Sequence, residues 1–200
     1  MTSNILGATE NVESVIKKII NFKEHECGTI SIDVPNWVKI QDNVLNVNKD
    51  YPDDSIGQIT LTIKCNAEDI TFSNDTTLFN EQTKQWELNP AQWNWLTNKL
   101  EQEDVKNSFK LYQLKNENSY GWIVTQIGIG SNEDDYTKSL SFCLISDDHL
   151  KQLCGYGLIQ YIPHREDLGT TVGDFEPVVT KLIGSIKFIS ENKLAPCDKK

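Results

Sequence analysis

Two segments at opposite ends of the chain constrain the fold most. In Thr29–Ile40, Ile30, Ile32 and Val34 alternate with Ser31 and Asp33. Period two marks a half-buried strand, and Pro35, which has no N–H, ends its pairing before Trp37. In Asp174–Ile189, Asp174 precedes a helical apolar pattern, and Gly184 releases the chain into a last strand, Ser185–Ile189. Together the two segments bracket a single α/β domain.

Between them the pattern changes several times. Val12, Val15, Ile16, Ile19 and Ile20 recur at helical spacing, which predicts an amphipathic N-terminal helix within residues 1–28, packed on the main domain. A short strand is expected around Val44–Val47, and Gln58–Lys64 alternates cleanly as a second full strand. Asn66–Glu87 is rich in Asn, Asp and Thr and reads as loop, with a short strand or turn near Ile70–Phe72. Asn89, Pro90 and Gln92 form a helix start, with Trp93, Leu96 and Leu100 on one face up to Glu101. Strands follow at Phe109–Leu114 and Gly121–Ile129, joined by a hairpin loop, and a third at Ser139–Ile145. Ser146 or Asp147 is expected to cap a short helix ending near Gly155, before a strand at Leu158–Ile162.

This order gives an expected fold class of α+β, an antiparallel sheet with helices packed on its faces. Residues 29–190 form the domain, and residues 191–200 a flexible tail.

Charge narrows the choice of partners. The chain has 29 acidic and 19 basic residues, a formal charge of −10, and a single arginine, Arg165. Nucleic-acid binding needs a basic footprint rich in arginine forks, so it is disfavoured. A negative field instead speeds encounter with a basic protein. No stretch approaches the roughly 20 apolar residues that span a bilayer, so membrane insertion is not expected. Met1–Glu10 has neither the basic flank nor the apolar centre of a secretory signal. The five cysteines, without a close CxxC pair, then read as reduced thiols in the cytoplasm.

The opening strand ending in Val34-Pro35-Asn36-Trp37, the helix at Pro90–Glu101 before a three-strand meander, and the closing Val178–Leu182 helix with Ser185-Ile-Lys-Phe188 resemble the PsbP-like fold. That group takes in photosystem PsbP proteins, Ran-binding nuclear-transport relatives, bacterial DcrB-type proteins and type VI secretion adaptors. The resemblance runs from about Gly28 to Ile189. It implies an α/β/α sandwich and a non-enzymatic binding module, with no catalytic residues to carry over.

Candidate chemistry is sparse. His25 and Cys27 lie close together, but a structural zinc site needs four ligands with paired spacing, so no metal and no cofactor are expected. Cys143 lies in an apolar alternating strand, where burial keeps a thiol protonated. Cys154 and His149, five apart, would point to different faces of a helix. No serine elbow is present. No catalytic residue is therefore assigned. The acidic run Glu133, Asp134 and Asp135 is an expected docking patch for a basic partner. Trp86, between Gln85 and Glu87 in a polar stretch, is the best single contact residue, because tryptophan is enriched at binding hot spots.

The expected function is a non-catalytic protein-binding module, an immunity or adaptor protein for a secreted toxin or effector. The alternatives are a Ran-binding transport-type factor and a thiol- or metal-dependent hydrolase.

Overall fold

Period-two alternation dominates the computed structural model, which describes residues 14–22, 28–48, 56–65, 76–91, 109–129, 136–162 and 174–189. Its strands are β1 (Val15–Asn21), β2 (Thr29–Pro35), β3 (Lys39–Gln41), β4 (Val44–Asn46), β5 (Gln58–Cys65), β6 (Thr77–Asn80), β7 (Gln85–Leu88), β8 (Phe109–Lys115), β9 (Ser119–Ile129), β10 (Tyr136–Ser146), β11 (Lys151–Ile162) and β12 (Lys187–Ile189). One helix, α1 (Glu176–Gly184), precedes β12.

The strands form a seven-stranded sheet in the order β3-β4-β5-β11-β10-β9-β8, a three-stranded sheet β1-β2-β12, and the hairpin β6-β7. Every named strand pair is antiparallel. The expected α+β class, an α/β/α sandwich with helices on the sheet faces, is therefore overturned. The described residues are mostly strand, with one nine-residue helix, α1, and helical backbone at Pro90 and Ala91. The physical reason is side-chain shape and spacing: apolar residues alternate with polar ones in β2 and β5, and the β-branched Val15, Ile16, Ile19 and Ile20 of β1 fit a pleated surface better than a helix.

Residues on alternate positions of β10 join different apolar clusters, so the sheet is buried on both faces. Leu140, Phe142 and Leu144 meet Ile30, Ile32 and Val34 of β2 and Val179, Leu182 and Ile183 of α1. Cys143 and Ile145 belong to a second cluster with Trp86, Trp122 and Val124.

Three local expectations change with this arrangement. Val15–Asn21 is not a helix but strand β1, in register with β2 from Val15↔Pro35 to Asn21↔Thr29. The expected helix after Ser146 is a turn at residues 147–150, from which β11 runs back along β10. Gly155 and Gly157 suit β11 because it crosses β5 closely: a Cβ on Gly157 would lie 1.9 Å from the Gln58 carbonyl oxygen. The expected loop at Asn66–Glu87 contains the hairpin β6-β7 in its described part.

The reduced-thiol expectation is also overturned. Cys143 and Cys154 are register partners on β10 and β11, their Cα atoms 4.1 Å apart, and they form a disulfide. Cys65 is disulfide-bonded as well. Ala91 N–H donates to Asn89 Oδ1 (3.0 Å), the expected cap at the start of a helix. The remainder of that helix, the short strand near Ile70–Phe72, His25, Cys27 and the tail at 191–200 lie outside the described residues.

Candidate functional site

The hairpin β6-β7 docks over the end of the seven-stranded sheet and leaves an open groove of about 660 Å³ beside it. One wall is aromatic. Phe79 of β6 and Trp86 of β7 are cross-strand partners with ring centroids 4.9 Å apart, and Trp86 meets Trp122 of β9 edge-on at 6.3 Å. Gln113 of β8 bonds the hairpin to the sheet: Trp86 N–H donates to Gln113 Oε1 (3.0 Å), and Gln113 Nε2 donates to the Trp86 carbonyl (2.7 Å).

The opposite wall comes from the β8–β9 turn and the 147–150 turn, which are tied together by Asp147 N–H donating to the Asn118 carbonyl (3.1 Å). The Ser146 hydroxyl shapes the second turn, donating to Asp148 Oδ1 (2.6 Å) and accepting from Lys151 N–H (2.9 Å). The first of these bonds, with the Leu150 N–H, holds the Asp148 carboxyl below its ordinary range. His149 adopts a left-handed backbone (φ 60°), a conformation uncommon outside glycine. It presents its ring to Tyr120, whose hydroxyl lies 3.1 Å from Nε2. Burial, then the charges of Asp147 and Glu81, raise the Tyr120 phenol above its usual pKa.

Ser119 lines the same groove. It is buried, and its hydroxyl has no hydrogen-bond partner among the described residues. The rim mixes charges: Glu81 pairs with Lys84 at 2.5 Å, and Glu117 pairs with Lys187. An aromatic wall beside a mixed polar rim is an arrangement that protein-contact surfaces share.

A second polar cluster lies under the helix. Lys138 Nζ contacts Asp174 Oδ2 (2.7 Å) and Glu176 Oε2 (2.9 Å), and Tyr112 donates to Glu176 Oε1. Thr125 Oγ1 (3.4 Å) and Lys110 Nζ (3.6 Å) complete the surround of Glu176 Oε1. Burial works against charge on Glu176, but the Tyr112 and Lys138 hydrogen bonds and the nearby ammonium groups outweigh it and hold the carboxyl below its usual range. Burial likewise opposes the Lys138 charge, and its two carboxylate partners still raise it above an ordinary lysine. Tyr112 is pushed up to about 12 by burial, then by its bond to Glu176 and the carboxylate charges. Glu176 N–H also donates to Asp174 Oδ1 (3.0 Å), so this cluster fastens the first turn of α1 onto β8, β9 and β10. Its charges neutralise one another, and we read it as a clamp on the fold.

Trp86, expected in a polar loop as the best single contact residue, is a buried strand residue, 4% exposed, that forms the base of the aromatic wall. It lines the groove, but its exposed surface is too small for it to be the main contact. Tyr120 and His149 were not singled out as a pair. Their juxtaposition comes from the Ser119↔Ser146 register between β9 and β10, which no local pattern encodes. Glu133, Asp134 and Asp135 lie outside the described residues. Among the described residues no group of three or more His, Cys, Asp or Glu side chains is placed to hold a metal. With Cys143 and Cys154 bonded to each other, neither offers the thiolate of a thiol hydrolase.

No family model matches the chain. No curated protein matches it either.

Proposed function

We propose that this chain is a non-catalytic protein-binding module, acting as an immunity or adaptor protein that binds a secreted toxin or effector with a basic surface. The groove walled by Phe79, Trp86 and Tyr120, within a chain of formal charge −10, is the observation that carries the reading. Tyr120 supplies stiff contact area on a wall backed by Phe79 and Trp86, and the overall negative field steers a basic partner toward the chain.

The sequence points to the cytoplasm, and among the described residues no helix is long and apolar enough to cross a membrane. The Cys143–Cys154 bond argues for an oxidising setting instead, where such bonds persist.

Affinity purification from the native host, comparing the natural chain with Tyr120→Ala and Asp147→Lys, tests the reading. The expected result is a stoichiometric basic partner that Tyr120→Ala weakens at least about tenfold. Asp147→Lys, at an exposed turn, should slow association and alter its salt dependence. Recovery of no such partner, or of one indifferent to both changes, would count against this function.

A further inference from the structure

One row of side chains runs across four strands, from the disulfide to the anchor of the hairpin. Register places Gln113 of β8 opposite Trp122 of β9, Trp122 opposite Cys143 of β10, and Cys143 opposite Cys154 of β11. Directly opposed residues share a face of the sheet, so all four lie on the side that carries β6-β7. Gln113 holds both main-chain groups of Trp86, and the Trp86 ring meets the Trp122 ring edge-on at 6.3 Å. The Cys143–Cys154 bond is therefore the next neighbour, within one packed cluster, of the residues that seat the aromatic wall.

The bond does not choose the pairing of its strands, because β10 and β11 stay in register on both sides of it, from Ser139↔Leu158 to Ile145↔Gln152. What it fixes is the position of two sulfur atoms in the cluster. Cys143 is 7% and Trp122 2% exposed. The backbone beside them has no slack: a Cβ on Gly121 would lie 1.9 Å from the Cys143 carbonyl oxygen, so β9 and β10 already approach closely there. Two thiols need more room than a bonded pair, and a close-packed interior feels a change as small as one methylene. With the main chain held, that room comes from side chains, and Trp122 is the first in line.

We propose that the Cys143–Cys154 bond is a redox switch for the groove: oxidised, it holds the β6-β7 hairpin against the sheet, and reduced, it lets the Trp86 ring part from Trp122. Cys154 is half-buried and Cys143 buried, so the sulfur of Cys154 is the one that an incoming thiolate reaches. A thiolate of a dithiol reductant bonds to Cys154 Sγ, the S–S bond breaks, and Cys143 Sγ leaves with the electron pair and takes a proton. The reductant's second thiolate then displaces Cys154 Sγ, which is protonated in turn. The reductant ends as a disulfide, having supplied two electrons and two protons. The consequence for a partner rests on the groove being the binding surface, whereas the seating of the hairpin does not.

Cys143→Ser combined with Cys154→Ser opens this bond and leaves the disulfide at Cys65 intact. Through-space proton contacts between the Trp86 and Trp122 rings, measured by NMR on the full chain, should be present in the oxidised chain and lost in the double variant, while contacts joining β2 to α1 persist. The natural chain treated with a small dithiol should lose the same contacts, with alkylation and mass spectrometry showing Cys143 and Cys154 opened. Linkage supplies a second measurement, because coupling acts in both directions. Gln113→Ala, which loosens the hairpin, should lower by at least about fivefold the dithiol-to-disulfide ratio at which this bond opens. Both readouts work without a partner, so the switch can fail while the binding reading stands, and stand while that reading fails. Ring contacts unchanged in the double variant, loss of the β2–α1 contacts along with them, or a Gln113→Ala chain that opens at the unshifted ratio overturns the proposal.

Discussion

The carboxamide of Gln113 pairs with both main-chain groups of Trp86, so a side chain on β8 does for β7 what a neighbouring strand would do. This is how the hairpin β6-β7 is held at the sheet end without a backbone ladder between β7 and β8. Gln113→Ala should lower stability by about 1–2 kcal/mol, the usual range for two modest hydrogen bonds partly replaced by water. Gln113→Glu should not rescue it, because a carboxylate cannot donate to the Trp86 carbonyl. Urea unfolding followed by tryptophan fluorescence reads both effects, and an unchanged midpoint would show that the hairpin is held by its aromatic contacts alone.

Asn118 makes the same two-sided pairing with Phe188 and closes the β12 edge. Asn118→Ala should cost about 1–2 kcal/mol and also expose that edge. Faster aggregation on mild heating, measured by light scattering, is the specific outcome expected beyond the lower midpoint.

Lys138 is the only cation in direct contact with both Asp174 and Glu176 among the described ion pairs. Lys138→Met leaves two carboxylates poorly compensated and should destabilise the fold by about 3–5 kcal/mol. Adding Glu176→Gln should recover part of that loss, since it removes one of the stranded charges. Equal stabilities for the single and double variants in chemical denaturation would contradict the clamp.

The same clamp sets a pH window. Glu176 titrates below its ordinary range in the folded chain, so its contribution is present above the unfolded carboxyl pKa and is lost as pH falls through the lowered one. Lys138 and Tyr112 are raised. Their contributions are complete below their unfolded values and disappear as pH rises through the folded ones, which for Tyr112 is about 12. Melting temperature should therefore fall on both the acid and the strongly alkaline sides. Glu176→Gln should flatten the acid limb, and an acid limb unchanged in that variant would assign the loss to other carboxylates.

The Cys143–Cys154 bond closes a loop with a sequence separation of 11. Chain-entropy arguments give a loop of that size about 3 kcal/mol of stabilisation. Cys143→Ser, or reduction, should lower the unfolding midpoint accordingly, and a non-reduced digest of oxidised protein should contain the linked peptide. Free thiol at Cys143 after native purification would remove the argument for an oxidising setting.

Much of the sheet was legible along the chain. Ile30, Ile32 and Val34 in β2, the alternation of β5, the meander β8–β10 and the helix after Asp174 all follow from local spacing and capping. Misreadings arose where one local pattern supports two structures. Val15, Ile16, Ile19 and Ile20 satisfy a helical stripe as well as a strand, and their β-branching was the signal for the strand. In β11, Gly155 and Gly157 interrupt the apolar alternation that would have marked one long strand. The polar neighbours of Trp86, Gln85 and Glu87, suggest a loop, but they are its outward-facing companions on β7. The groove was not legible at all, because its walls come from segments far apart in sequence.

By itself, then, the sequence determined which residues alternate, where Pro35 ends a strand, that a helix follows Asp174, and that the chain is strongly acidic. These are properties of neighbouring residues and of total charge. Only the tertiary structure decided that Cys143 meets Cys154, that Tyr120 meets His149, and that Asn118 closes β12. Side-chain period is set within a strand, but pairing partners are chosen by closing loops across the sheet. Those choices depend on burying both faces of the sheet at once.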